Sequence, residues 1–434
     1  MNIKSNTFND SDISMKPLDK KAIIGGSVGN FITWFEYAAF GFLAVIIAEV
    51  FFPSSSKSFS LLATFAAFAS AFMMVPLGAF VFGRLGDKFG RKNILALVIV
   101  LMSGSTFAMG LLPSFSAIGV AAPILLVALR MIQGFASGGE PGGATTYLLE
   151  SAGNNQRAYA VSFMHCSSLL ANVSASILVM LLYKFLDEAQ MLEWGWRLPF
   201  LIAGPIGIIA FLFRRNLDET ETFNALKNNN LISESPIREA FKFHWKKMLQ
   251  TAGCMALQAA AFYFTFVYIQ TYLSVELNLT PSQSAYSTII CLIVASISVI
   301  FFAKLSDKVG RRPLLFTGAL LCILCAYPVF LAFNTHNLLL IFAAHSLLGF
   351  ILTIFMAATG AALVEMFPPQ VRYAGYGIGF NLSIAVFGGS APYLATYLIY
   401  ITESPTSPAL IPILTGIIAL ITVLTMKETA FKKF

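Results

Sequence analysis

Long apolar segments are the feature that most restricts how this chain can fold. Twelve of them follow one another, each near the length of about twenty residues that a helix needs to cross a bilayer. Hydrocarbon offers no partner to an exposed backbone N–H or C=O group, so these segments must be helices. We number them span 1 to span 12, at roughly 22–50, 59–82, 93–113, 117–146, 158–183, 197–214, 247–275, 283–303, 314–333, 338–364, 372–401 and 408–426.

Charged residues are few and unevenly placed. They make up 11% of the chain, against about a quarter in a soluble protein. The net charge of +7 raises the question of nucleic-acid binding. Of the 28 Lys and Arg residues, however, 24 fall in tails and loops on one side, three on the other, and Arg130 lies inside a span. This asymmetry marks a cytoplasmic side that carries both termini, and it argues against a nucleic-acid patch.

The chain repeats its own pattern after a little over two hundred residues. The hairpin GRLGDKFGRK at 83–92 returns as AKLSDKVGRR at 303–312, with Asp307 placed 220 positions after Asp87. His345 stands 215 positions after Arg130, and the pair at 365 and 372 stands 215 after the pair at 150 and 157. Such a repeat predicts two related halves.

We therefore predict an all-α membrane protein with twelve transmembrane helices in two pseudo-symmetric six-helix halves. The longest polar interval, between spans 6 and 7, reads as the linker between them. The predicted divisions are a cytoplasmic N-terminal tail at 1–21, a six-helix bundle at 22–214, a cytoplasmic linker at 215–246, a second six-helix bundle at 247–426 and a cytoplasmic tail at 427–434.

Ionisable groups at membrane depth cost several kcal/mol, so they are functional candidates. Glu36, near the middle of span 1, is predicted to carry the coupled proton, because burial disfavours its charged form. Arg130 in span 4 is predicted to hold a substrate carboxylate with two hydrogen bonds. The alternative is a permanent ion pair of Arg130 with Glu36 or Glu140. If Glu36 and Arg130 pair when empty, protonating Glu36 would free Arg130. His345, at the matching place in span 10, is a second proton-coupling candidate or a packed histidine.

Other polar side chains on the spans are weaker substrate-binding candidates. Aromatic and amide groups could line a polar cavity, although in membrane helices they more often only pack. The predicted set is His165, Gln258, Tyr268, Tyr272 and Asn381.

Charged residues at the hairpins suggest a different role. Glycine allows a tight turn there, and Asp with Arg can connect neighbouring helices or cap a helix terminus. We predict a conformational latch, the alternative being solvated charge that only fixes topology. Its predicted members are Gly83, Asp87, Arg91, Asp307, Arg311, Glu150, Arg157, Glu365 and Arg372.

Motifs of enzymes and ATP-driven pumps are missing from the sequence. It holds no GxxxxGK[ST], HExxH or GxSxG pattern, and the five Cys residues lie inside apolar spans as packing residues. We predict a protein that is not an enzyme, has no metal and no cofactor, and draws its energy from a proton gradient. No cleavable signal is predicted.

The motifs resemble those of the major facilitator superfamily, and within it the metabolite:proton symporter family. The resemblance covers essentially the whole chain and rests on the repeated hairpins together with the segments 29–37, 130–140, 193–200, 219–223, 365–373 and 388–392. It implies that spans 1, 4, 7 and 10 line a central cavity. Departures are Thr33, where the family has an acid, Glu36 in place of Asp, and Ala303 in place of Gly.

That family includes bacterial importers of proline and betaine, citrate, 2-oxoglutarate and shikimate. We therefore expect proton-coupled import of a carboxylate-bearing metabolite by alternating access: a di- or tricarboxylate first, a zwitterion such as proline or betaine second. The alternatives are a proton-independent facilitator or exporter, and a nutrient sensor without transport. The expected partners are the solute, protons and the lipids of a bacterial inner membrane, with the protein working as a monomer.

Overall fold

Every regular element in the described part of the chain is helical. The computed structural model describes residues 20–431, except 90, 140–144, 147, 150, 151, 153, 154, 216–235, 369 and 370. The predicted latch residue Glu150 therefore lies outside what is described, as do the surroundings of Gly83 and the side chains of Asp87 and Arg91.

Spans 1 to 6 form the first half. Span 1 consists of Lys20–Phe42 and Ala44–Phe51. Spans 2 to 6 are Lys57–Phe89, Arg91–Gly110, Ala121–Ser137, Arg157–Phe185 and Arg197–Arg215.

Spans 7 to 12 form the second half, and two of them contain a π-helical turn. Span 7 runs through Pro236–Tyr263, the π segment Phe264–Tyr268 and Ile269–Val275. Span 11 runs through Arg372–Ser383, the π segment Ile384–Gly388 and Ser390–Thr402. Spans 8, 9, 10 and 12 are Pro281–Val309, Arg311–Phe333, Leu338–Glu365 and Leu410–Thr425.

The helices have the length and hydropathy of membrane spans. Eight of the described helices are long and apolar enough to cross a bilayer by themselves, and the two parts of span 1 qualify together. Within the residues whose side chains are described, spans 3 and 4 contribute the apolar helices Leu97–Gly110 and Ala121–Ser137. Span 1 bends by 63° between its two parts, at Leu43 and not at a proline. By contrast, Pro76 and Pro328 lie inside continuous helices.

Glycines bring spans 2 and 4 into backbone contact. A Cβ on Gly134 would lie 1.7 Å from the carbonyl oxygen of Ala71, and one on Gly138 would lie 2.1 Å from that of Val75. From the other side, a Cβ on Gly78 would lie 1.8 Å from the carbonyl oxygen of Phe135. Only glycine permits this approach, because small residues let helix backbones come close together.

The two halves meet through their outer spans. Span 5 packs along spans 8 and 10, and span 2 packs along span 11. Span 1 also touches the π segment of span 7. The junction of spans 2 and 3 and that of spans 8 and 9 lie at one end of the bundle, and we call it the hairpin end.

Candidate functional site

Glu36 lies in a polar cluster between spans 1 and 3. Its side chain is buried and accepts hydrogen bonds from Ser103 Oγ and Thr106 Oγ1, both at 2.7 Å. Ser103 and Thr106 are three residues apart on span 3 and therefore present both hydroxyls to the same carboxylate. A cavity of about 10 Å³, lined in part by Thr33, Glu36 and Met102, adjoins the cluster. That is near the space required for one water molecule.

Arg130 is buried among aromatic rings in the middle of the first half. Its guanidinium carbon lies 4.4 Å from the ring centre of Phe40, 5.0 Å from that of Phe68 and 5.1 Å from that of Tyr37. Nη1 donates to the side-chain carbonyl of Gln133, and Nη2 donates to the backbone carbonyl of Phe68 at 3.3 Å. Nε has no hydrogen-bond partner among the described residues. One donor of this buried cation is therefore available to an incoming acceptor.

Gln133 joins the two charged groups. Its Nε2 donates to Thr106 Oγ1 at 2.7 Å and to Glu36 Oε2 at 3.3 Å, while its Oε1 accepts from Arg130. The sequence analysis considered a direct ion pair between Glu36 and Arg130. In the structure, the amide of Gln133 lies between them and bonds to both. The sequence analysis missed Gln133, although its place one helical turn after Arg130 puts both on one face of span 4.

Aromatic residues of both halves meet near Arg130. Tyr263 of span 7 stacks on Trp34 of span 1 at 5.6 Å and packs edge-on against Phe68 at 5.7 Å and Phe72 at 4.9 Å of span 2. Phe262 lies 4.5 Å from Trp34. The halves are thus in contact at this level, and a solute could enter only if these rings separate.

His345 is held between spans 7, 8 and 10. Its Nε2 lies 2.9 Å from the carbonyl oxygen of Thr265, and its Nδ1 lies 2.9 Å from Ser287 Oγ. Because a carbonyl can only accept, Nε2 carries a proton and donates to it. In the neutral ring, Nδ1 then accepts from the serine. Thr265 belongs to the π segment of span 7. Single π-helical turns within α-helices are frequently found at functional sites.

The remaining predicted binding residues do not form one cluster in the described contacts. Tyr268 packs against Phe65 and Phe264, and the Tyr272 hydroxyl donates to the carbonyl of Pro405 at 2.8 Å. Three others each hold a buried polar atom without a hydrogen-bond partner among the described residues: Nε2 of His165, Oε1 of Gln258 and Oδ1 of Asn381.

Charged residues at the hairpin end connect the two halves. Glu365 of span 10 binds Arg311 of its own half at 3.1 Å and Arg157 of the other half at 3.5 Å. Arg311 also binds Asp307 at 2.7 Å. We call these four residues the latch cluster. Arg372, also predicted for the latch, donates from Nε to the carbonyl of Phe367 at 3.2 Å.

Asp307 also caps a helix of the opposite half. Its two carboxylate oxygens accept from the backbone N–H groups of Ala158 at 3.0 Å and Tyr159 at 2.9 Å, at the start of span 5. A carboxylate is stabilised there by the unpaired N–H groups and by the helix dipole. The two hydrogen bonds to Asp307 and the Arg157–Glu365 ion pair would break together if the halves separated at the hairpin end.

The C-terminal segment reinforces the latch cluster, which the sequence analysis did not predict. Thr429 Oγ1 donates to Glu365 at 2.6 Å. Glu428 accepts from the backbone N–H groups of Arg311 at 2.9 Å and Arg312 at 3.0 Å, and so caps span 9. The turn before this cap passes through Gly310 at φ +107°, a conformation that favours glycine.

Replacing Glu428 with Gln should weaken this cap. Partial burial alone would raise the pKa of Glu428, but four backbone N–H groups lower its pKa overall. A lowered folded-state pKa gives stability that is present above the unfolded value of 4.5 and is lost as pH falls through the folded value. We expect Glu428→Gln to lower stability by about 1 kcal/mol at pH 7, and by much less below about pH 4.

Thermal unfolding of the purified protein in detergent at the two pH values measures this effect. Glu403→Gln is the control, because Glu403 is exposed. An equal loss at pH 7 and at pH 4 would contradict a contribution from the Glu428 carboxylate.

Comparison with known proteins agrees with the fold. The family model described as Major Facilitator Superfamily matches residues 26–389 and, in a second match, 251–433. The proline/betaine transporter of Salmonella typhimurium is 35% identical over 99% of this chain and 87% of its own length. The glycine betaine/proline/ectoine/pipecolic acid transporter of Dickeya dadantii is 34% identical over 95% and 84%.

A solved structure supports the architecture. The partially occluded, inward-open xylose transporter from E. coli superposes with a TM-score of 0.70 over 95% of this chain and 98% of its own, at 16% identity. The predicted fold of twelve helices in two halves is confirmed, and so is the resemblance to the Major Facilitator Superfamily. This chain therefore belongs to the Major Facilitator Superfamily and is a secondary active membrane transporter, not an enzyme.

Proposed function

We propose that this protein is a proton-coupled importer of a zwitterionic metabolite such as proline or betaine, and that it works by alternating access. The hairpin end is then the cytoplasmic end, in the bacterial inner membrane. A di- or tricarboxylate, the first expectation from the sequence, becomes the second candidate. The names of the relatives, which match nearly the whole chain, favour the zwitterion.

The observation that carries this proposal is the environment of Arg130. A buried guanidinium with a spare donor at Nε can bind a carboxylate without first being freed from every partner. Arg130 is also the only Lys or Arg that the sequence places deep inside a span. A solute with one carboxylate matches one such cation, whereas a tricarboxylate would leave buried negative charge uncompensated.

The aromatic rings beside Arg130 suit the other end of a zwitterion. A substituted ammonium group is attracted to the faces of Trp and Tyr rings, most strongly where water is excluded. Trp34 and Tyr263 come from different halves and stack on one another near Arg130. If the halves separate on one side, a solute could place its carboxylate at Arg130 and its ammonium group between these rings.

Glu36 is the proposed proton site. It is the buried carboxyl group of span 1, and the adjoining cavity offers space for about one water molecule near it. His345 is the second candidate, since its ring lies against the π segment of span 7. The latch cluster would hold the cytoplasmic end closed while the solute site opens outward.

Uptake by vesicles tests the proposal. Purified protein in liposomes with an imposed inward proton gradient should accumulate labelled betaine or proline above the outside concentration. Glu36→Gln should only equilibrate the same solute, because a neutral amide cannot carry a proton across. Lys184→Ala is the control and should behave as wild type. Lys184 is exposed and lies at the C-terminal end of span 5, away from the hairpin end.

The other outcomes separate the alternatives. Equal accumulation by wild type and Glu36→Gln would move the proton site to His345. Solute flux that is independent of the proton gradient, in wild type and in Glu36→Gln alike, would indicate a facilitator. Accumulation of citrate or 2-oxoglutarate, but of neither zwitterion, would replace the substrate class.

A further inference from the structure

Gln133 has a feature that an ordinary bridging residue lacks: its two ends are chemically opposite. The amide nitrogen only donates and the amide oxygen only accepts. The nitrogen faces Glu36 and Thr106, and the oxygen faces Arg130. A carboxylate can only accept and a guanidinium can only donate. This orientation of the amide is therefore the only one that satisfies both neighbours.

Protonation of Glu36 on Oε2, the oxygen that faces the amide nitrogen, would remove that match. The carboxyl group then presents an O–H donor to the amide, and the oxygen of the amide is its acceptor. Turning the amide to meet this donor places its NH₂ group against the guanidinium, where donor faces donor. Arg130 would then lose its bond to Gln133 and keep, of its two described hydrogen bonds, the one to the carbonyl of Phe68 at 3.3 Å.

We propose that Gln133 is the relay by which protonation of Glu36 releases Arg130 for the substrate carboxylate. This inference rests on the proposed function, because it needs a proton at Glu36 and a carboxylate at Arg130. It assigns to the amide a positioning role: Gln133 acts on Arg130 and does not itself contact the solute. Proton and solute are thereby linked without direct contact between Glu36 and Arg130.

The other groups around the cluster do not replace Gln133 in this linkage. Span 1 contributes Tyr37, whose hydroxyl lies 3.0 Å from Ser137 Oγ, and span 7 contributes Tyr263, which packs against rings. On span 5, His165 lies beside Gly360 of span 10. On span 6, Arg197 bonds the backbone carbonyls of residues 110 and 112 at the far end of span 3. Among the described contacts, Gln133 alone touches both Glu36 and Arg130.

Binding of labelled betaine and proline to the purified full-length protein at pH 6 and pH 8.5 tests the relay. Wild type should bind more tightly at pH 6, by about tenfold, which lies within the usual range of coupling between two sites. Gln133→Met is close in size and unbranched but lacks both polar ends, so Arg130 should be free at either pH. We expect tight binding at both pH values, with a ratio under about threefold.

A second variant should move the result in the opposite direction. In Gln133→Glu, both oxygens of the new carboxylate can accept from Arg130, whichever way the side chain turns. Binding of betaine and proline should therefore be weak at both pH values. Ser105→Ala is the matched control, because Ser105 is buried on span 3 beside the cluster and bonds only within its own helix among the described residues. It should keep the wild-type ratio.

The outcomes separate failure of the relay from failure of the proposed function. If wild type binds with a clear pH dependence and Gln133→Met retains it, the relay is wrong and the proposed function stands. If Gln133→Met keeps its thermal midpoint but binds weakly at both pH values, Gln133 serves the solute site directly, and the relay is again wrong. If wild type binds neither zwitterion, or binds equally at both pH values, the proposed function itself fails.

Discussion

Replacing Arg130 with Ala should reduce betaine and proline uptake at least 100-fold, which corresponds to about 2.7 kcal/mol of lost binding to the transported solute. The variant removes the buried cation and its spare Nε donor, so a carboxylate would enter a site lined by aromatic rings without a partner. Arg130→Lys should recover only part of this loss, because an ammonium group cannot reproduce the planar, two-bond grip of a guanidinium.

Initial uptake rates in vesicles, with equilibrium binding on the same preparations, measure this prediction. Lys184→Ala is again the control, since it also removes one positive charge but at an exposed position. Binding by Arg130→Ala within threefold of wild type would exclude a substrate role for Arg130 and leave it as a structural cation.

Replacing Gly134 with Ala should strongly destabilise the first half. The added Cβ would lie 1.7 Å from the carbonyl oxygen of Ala71, and backbone atoms cannot move aside as the end of a side chain can. Overpacking in a close-packed interior costs about 1–3 kcal/mol, and a backbone collision belongs at the upper end of that range or beyond it. Spans 2 and 4 would have to separate, and this would also displace Arg130 from Phe68.

Gly104→Ala provides a matched control. Gly104 lies in span 3, and a Cβ there would meet nothing within 4 Å. The same chemical change should therefore leave stability nearly unaltered or raise it slightly, because alanine is the better helix former. Thermal midpoints of the two variants in detergent test the contrast, and similar values for both would contradict the close approach of spans 2 and 4.

The fold was largely predictable because its determinants are local or repeated. Apolar length alone predicts the spans, and the duplicated hairpin predicts the two halves. The pairs at 150/157 and 365/372 pointed to charges at one end of the bundle. In the structure, Glu365 reaches Arg157 of the opposite half, a partner that sequence spacing could not supply.

The candidate site was predictable only in part. Glu36 and Arg130 are conspicuous because charge is rare at membrane depth. Ser103, Thr106 and Gln133 are uncharged and common in membrane helices, and their importance comes from three helices meeting at one carboxylate. Thr429 and Glu428 were missed because their partners are distant in sequence. Only the folded chain shows that the C-terminal segment lies beside Glu365 and the start of span 9.

The sharing of Glu365 has a consequence for how fast the two halves can part. Opening a buried ion pair is slow when a bare charge is left behind, because that charge has to be rehydrated at the top of the barrier. Here two partners, Arg311 and Thr429, belong to the same half as Glu365 and would move with it. The Glu365 carboxylate would therefore keep these two partners throughout the motion. Most of the activation barrier would then come from the rehydration of Arg157. Compared with an ion pair that is not shared, opening would then require the rehydration of one charge instead of two.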